Sequence, residues 1–274
     1  MILSRNVIEL NEDQIKLIKS GWGKKAAEET LVESIVYDSD GYKVKGYIAK
    51  PASIKGKLPL IIWNRGGSKN AGRIDEFLAK GMLGEIASWG YIVLASMYRE
   101  EDEFGGRDVN DVLNLIKLAD EIPECDVSNI GMEGWSRGGM MTYKALSLTD
   151  RIKCAVIISG LADLSRSIEH KSELSKVYDK LFGTDDSAEF KKRLEERSAV
   201  HFYKNIDKET ALLLIHGTED SEVSHIDSEE MSERLSENGN ECRLELIEGG
   251  DHYLKKHRDK VAELRRNWFN RFLK

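Results

Sequence analysis

Cysteine is scarce in this chain: three in 274 residues, Cys125, Cys154 and Cys242, far apart and without a C-x-x-C pair. That argues against a disulfide framework or a thiolate metal site, and it fits reduced thiols in a cytoplasmic protein. Proline is equally rare, with three, and no Pro-rich or Gly-rich stretch reads as a linker. Internal repeats and low-complexity tracts are missing. Nowhere do about eighteen apolar residues run together, so no membrane span is expected. Met1–Gln14 lacks the apolar core of a signal peptide. A basic excess is missing too, with 41 Lys and Arg against 48 Asp and Glu and a net charge of −7. Nucleic acid and anionic membranes require a basic face, so neither is an expected partner.

What is present can build a full core. Hydrophobic residues make up 41% of the chain and charged residues 32%. From Leu31 to Lys50 the pattern reads as a hairpin. Its turn is Asp38-Ser39-Asp40-Gly41, and Tyr42, Val44, Gly46 and Ile48 then alternate with Lys43, Lys45 and Tyr47. Such alternation predicts an antiparallel pair with one wet face. Four later runs are nearly continuous and apolar: residues 58–64, 91–97, 154–159 and 211–216. Runs of that kind predict strands buried on both faces, as in a parallel sheet. Helical patterns separate them over 76–89, 108–119, 223–238 and 256–272. The expectation is an α/β fold: a mostly parallel, doubly wound sheet with an N-terminal antiparallel hairpin and helices on both faces. One domain spanning 1–274 is the simplest organisation. Residues 161–206 form a charged helical insertion, with helices expected from Ser172 to Phe182 and from Ala188 to Arg197. This insertion either covers part of the site or is surface structure.

Chemistry enters at Gly134-Trp135-Ser136-Arg137-Gly138, which matches G-x-S-x-G. A short strand, 129–133, precedes it and a helix start, 140–146, follows. A strand turning sharply into a helix pushes the serine up out of the sheet, and that is the nucleophile elbow of α/β-hydrolases. A serine hydroxyl needs an adjacent base, usually a histidine oriented by a carboxylate. In this fold the chain order is Ser, then Asp or Glu, then His. Glu219 and Asp220 both follow the strand ending at Ile215 and compete for the acid. Among six histidines, only His252 combines the chain order with a strand-end loop, Glu248-Gly249-Gly250-Asp251-His252. His216 reads as structural. The oxyanion donors expected are the N–H of Arg137, directly after the nucleophile, and an N–H of the loop Asn64-Arg65-Gly66-Gly67-Ser68.

Together, Ser136, Asp220 and His252 with their surroundings resemble the catalytic domain of the prolyl oligopeptidase family of serine hydrolases. Asp40–Tyr47, Gly105–Val112 and Arg197–Val200 are similar to that family's opening strands, its helix before the elbow and its segment before the acid strand. The pattern His216-Gly217-x-x-Asp220-x-x-Val223 is specific, and the resemblance makes Asp220 the acid. It also implies Gly66 as the second main-chain oxyanion donor, although Arg65-Gly66-Gly67-Ser68 stands where many relatives carry His-Gly-Gly-Pro. The Arg65 side chain is then new chemistry at the pocket mouth, paired with a substrate carboxylate or with a local acid such as Asp75. Trp135 is the other expected pocket residue. Peptidases of the family carry an N-terminal propeller, and residues 1–30 are too few for one blade of about 40–45 residues. The acidic run Glu100-Glu101-Asp102-Glu103 can attract a cationic group, and its plainer reading is a solvated loop.

The resulting expectation is a serine hydrolase that cleaves a peptide, amide or ester bond by acyl transfer, with no metal or organic cofactor. A carboxylesterase of small acyl esters is the alternative, and a non-catalytic binding protein of the same fold is a minor one. The expected partner is a small ester or short peptide. Self-association as a homo-oligomer is compatible with the sequence.

Overall fold

In the computed structural model, which describes residues 1–68, 71–171, 173–183 and 188–274, the chain opens on an edge strand that its sequence pattern does not announce. This strand, β1 (Ile2–Val7), pairs antiparallel with β2 (Thr30–Ser39), and β2 pairs antiparallel with β3 (Tyr42–Pro51). The β2–β3 hairpin turns through Asp40 and Gly41, at φ 54° and 87°. A two-residue turn with both residues left-handed matches the twist of the strands it joins. The wet face expected on β3 holds only for its first half. Lys43 and Lys45 are exposed, but Tyr47 and Ala49 are buried. Helix Glu76–Ser88 covers that end of the hairpin, and the Tyr47 hydroxyl donates to the Ile74 carbonyl at 3.1 Å.

Six parallel strands continue the sheet: β4 (Leu58–Asn64), β5 (Ile92–Ser96), β6 (Cys125–Trp135), β7 (Cys154–Ile158), β8 (Ala211–Gly217) and β9 (Cys242–Ile247). The nine strands run in the order β1-β2-β3-β5-β4-β6-β7-β8-β9. Every residue of β5, β7 and β8 is buried, as their unbroken apolar runs predict. Side chains alternate between two cores. Leu60 and Ile62 of β4 join the core under helices Val109–Leu118, Arg137–Leu146 and Ile226–Asn238. Ile61 and Trp63 join the core under helices Glu76–Ser88 and Arg258–Leu273. This is the α/β-hydrolase arrangement.

One expected helix start shifts. The helix expected from Val223 begins at Ile226, because the amides of Glu222 and Val223 donate to Asp220 Oδ1 at 2.8 and 3.0 Å and hold a turn there. Before β2, helix Glu12–Trp22 forms behind a capping box in which the Asn11 side chain and Gln14 cap each other. Its last residue, Trp22, lies edge-on to Phe77 with ring centroids 5.9 Å apart. Between β7 and β8 the expected insertion contains helices Leu164–His170, Glu173–Phe182 and Ala188–Glu195. Ser172, the expected first residue of the second, lies outside the described residues. Among the described residues, no helix is long and apolar enough to cross a membrane.

Candidate active site

β6 ends at Trp135 and a helix begins at Arg137, which leaves Ser136 alone at the turn with φ 57° and ψ −124°. A non-glycine residue at such angles is strained and persists only where its surroundings hold it. Here the Ser136 amide donates to Ile158 O at 2.9 Å and its carbonyl accepts from Gly139 N at 2.8 Å. The flanking glycines are required by close approach. A Cβ on Gly134 would lie 2.1 Å from Gly138 O, and one on Gly138 would lie 2.0 Å from Asn64 O.

His252 arrives on the loop after β9. Its carbonyl accepts from Trp135 Nε1 at 3.1 Å and from Ser159 Oγ at 3.2 Å, so the elbow strand and the next strand's end both fix the loop. That loop crosses β8 so closely that a Cβ on Gly217 would meet Gly250 O at 2.2 Å. His252 Nδ1 lies 2.8 Å from Asp220 Oδ2. The carboxylate can only accept, so the proton sits on Nδ1 and Nε2 keeps a free lone pair. Ser136 and His252 line one cavity.

Asp220 is buried and fully engaged. Besides His252 it accepts from the amides of Glu222 and Val223, and from His216 Nε2 at 3.1 Å. Burial raises its pKa, but the donors His216, His252 and Val223 outweigh burial and hold the carboxyl well below the ordinary range. Glu219, the competing acid, is exposed in the same loop. His216 is the residue that sequence reasoning set aside. It is fully buried, its Nε2 faces both Asp220 Oδ2 and Val223 O at 3.1 Å, and its Nδ1 lies 2.7 Å from Ser228 Oγ. Two acceptors on Nε2 place the proton there, so Ser228 donates to Nδ1. The signal was the His-Gly-x-x-Asp spacing itself, read only for its aspartate.

Gly66 and Arg137 flank the serine. A Cβ on Gly66 would lie 3.2 Å from Ser136 Cβ and 3.8 Å from Ser136 Oγ. Arg137 is the first residue of its helix, where N–H groups have no intrahelical acceptor. The Arg137 side chain points away into the protein. It pairs with Asp102 through two contacts of 2.7 Å, with Asp108 at 2.7 Å and with Gly67 O at 2.9 Å. Within the acidic run, Glu100 and Glu101 are exposed, as the solvated reading expects, and Glu103 pairs with Arg107, whereas the Asp102 side chain is buried against Arg137.

Arg65 is not at the pocket mouth. It is 1% exposed and its guanidinium donates to Met97 O, Gly66 O and Ala71 O at 3.0 to 3.1 Å, over the Tyr98 ring. Burial pulls its pKa down to about 10. Asp75, the suggested local acid, instead caps helix Glu76–Ser88 through Leu78 N. Trp135 does line the cavity, which encloses about 740 Å³. Of its lining residues, Phe104, Leu161, Leu174 and Val177 pack with the core on one face of the sheet, and Trp63, Leu78, Met82 and Val261 with the core on the other.

A model of the prolyl oligopeptidase family matches residues 96–274. The uncharacterized peptidase YtmA of Bacillus subtilis is 27% identical over 219 residues, which are 77% of this chain and 82% of that protein. Among solved structures, an acylaminoacyl peptidase of Pyrococcus horikoshii superposes with a TM-score of 0.76 at 24% identity, over 90% of this chain and 42% of that one. Esterase B of Lactobacillus rhamnosis superposes with a TM-score of 0.70 at 17% identity, over 95% of each chain. At those identities the two structures speak for the fold. The chain spans less than half of the acylaminoacyl peptidase.

Proposed function

We propose a reaction for a chain that belongs to the prolyl oligopeptidase family and is a serine hydrolase: cleavage of a peptide, amide or ester bond through an acyl-Ser136 intermediate. The observation that carries the assignment is the 2.8 Å contact between Asp220 Oδ2 and His252 Nδ1, made beside a serine held at a strained elbow. Ser136 Oγ attacks the carbonyl carbon while its proton passes to His252 Nε2. The carbonyl oxygen takes up the electron pair, and the amides of Gly66 and Arg137 hold it. Collapse breaks the bond to the leaving amine or alcohol, which receives the proton from His252. Water then gives a proton to His252 and attacks the acyl carbon, and Ser136 leaves with its proton restored. Asp220 keeps the imidazole in the required tautomer and stabilises the imidazolium. No step calls for a cofactor.

The test has two readouts. A fluorophosphonate probe is expected to label the wild type and not Ser136→Ala. Ser136→Ala and His252→Ala are each expected to lower kcat by about 10⁴-fold or more. An unlabelled serine in folded protein overturns the assignment. A carboxylesterase is the second reading, favoured by the apolar wall of Trp63, Leu78, Met82 and Val261. Turnover of p-nitrophenyl esters beside aminoacyl and peptidyl amides separates the two.

A further inference from the structure

The side of the cavity facing helices Glu76–Ser88 and Arg258–Leu273 is a binding channel in its own right. Leu78, Met82 and Glu85 fall at i, i+4 and i+7 of the first helix, and Arg258, Val261 and Arg265 at i, i+3 and i+7 of the second. Both rows line the cavity. Leu78 and Met82 are only partly buried, whereas Ala79, Leu83 and Ile86 on the same helix are closed off. The sheet supplies the back wall with Trp63 of β4 and Trp135 of β6. Protein interiors pack to the density of organic crystals, so space left open between a sheet and its helices marks a place for something else.

The channel has a floor. Arg265 donates to both oxygens of Glu133 at 2.9 and 2.7 Å and to Glu85 at 2.9 Å. These charges satisfy one another and call for no charged ligand. Glu133 precedes Ser136 by three residues on the strand, so the floor lies about 10 Å below the nucleophile at ~3.3 Å per residue. Trp22 stands against the same space, seated on Gly81 of helix Glu76–Ser88.

The walls decide the occupant. A peptide strand brings an N–H and a C=O with every residue, and each must find a partner when buried. Leu78, Met82 and Val261 offer none, and the indole N–H of Trp135 is already given to His252 O. Resting on the serine hydrolase reading above, we propose that this channel takes an unbranched aliphatic chain of the substrate. The rest of the substrate lies toward Phe104, Leu174 and Val177. The chain belongs either to the acyl group or to the alcohol, since both meet at Ser136.

Two substrate series distinguish these sources: p-nitrophenyl esters from acetate to decanoate, and alkyl acetates from ethyl to decyl followed by pH-stat. In the series whose chain enters the channel, kcat/KM is expected to rise about fourfold per methylene until the floor is reached. Met82→Trp fills the channel. It is expected to remove that gain, lowering kcat/KM on the long chains by at least ~10-fold relative to p-nitrophenyl acetate, while Ser136 still takes the fluorophosphonate label and so reports a folded site. Leu78→Trp, one turn away, is expected to give the same pattern should Met82→Trp fail to fold. Long-chain turnover unchanged in both variants, or lost instead in Val177→Trp, overturns the proposal. A wild type that neither hydrolyses the acetate nor takes the label overturns the underlying reaction, which is a separate and visible failure.

Discussion

Asp220 carries four donors, and the pH response of the protein follows from them. The amides of Glu222 and Val223 hold Oδ1, while His252 and His216 share Oδ2. Burial alone would raise the pKa, but the donors leave it below that of an unfolded-chain aspartate, near 3.9. An acid with a depressed folded pKa contributes stability above its unfolded pKa and loses it as pH falls through the folded value. The melting temperature of the wild type is therefore expected to exceed that of Asp220→Asn at pH 7. That gap is expected to close as the pH drops below about 4. A gap that stays constant from pH 7 to 3 would sink this account. At pH 7 the same variant is expected to lose about 10⁴-fold in kcat, because an amide no longer fixes the Nδ1–H tautomer.

Single residues were legible where chain order constrains them, and illegible where only packing does. Ser136 and His252 follow from a turn motif and a strand-end loop. Asp220 needed the His-Gly-x-x-Asp-x-x-Val spacing, which separates it from Glu219. Arg65 and Asp102 went the other way, because a charged residue in a loop reads as exposed. Their burial depends on carbonyls and a guanidinium brought from distant segments, Met97 for one and Arg137 for the other. Nothing local in the sequence carries that information.

Elements show the same division. The buried parallel strands and the hairpin are written in their periodicity, while β1 is a largely exposed edge strand placed by its pairing with β2, and helix Glu12–Trp22 is a short amphipathic piece whose place is set by what it covers. Trp22 makes that dependence measurable at Gly81. In an exposed helix interior Gly→Ala stabilises by about 1 kcal/mol. Here the new Cβ would lie 2.5 Å from the Trp22 ring. The clash exceeds the propensity gain, since overpacking costs typically about 1–3 kcal/mol. Gly81→Ala is thus expected to lower the melting temperature and to shift the tryptophan fluorescence. A stabilised variant would show that Trp22 is free to move aside.

Across the whole molecule, one buried side chain ties three elements together. Arg265, on the last helix, reaches Glu133 at the centre of the sheet and Glu85 on helix Glu76–Ser88. Arg265 is 7% exposed and Glu133 1% exposed, so water cannot replace the missing partner if one is removed. Burial lowers the Arg265 pKa, but Glu133 and Glu85 more than offset it and the charge is kept. Removing one member of a buried pair costs about 3–5 kcal/mol, whereas replacing both with apolar groups of similar volume is often neutral. Arg265→Leu is accordingly expected to destabilise by about 3–5 kcal/mol in urea unfolding. Adding Glu133→Leu is expected to return a large part of that loss, leaving Glu85 its contact with Arg258 at 3.4 Å. Additive single-mutant effects would mean that the two residues do not act as a pair. The pair also floors the cavity, so a stable double variant would lengthen the apolar channel. Its preference among p-nitrophenyl esters is then expected to move to longer chains than the wild type accepts.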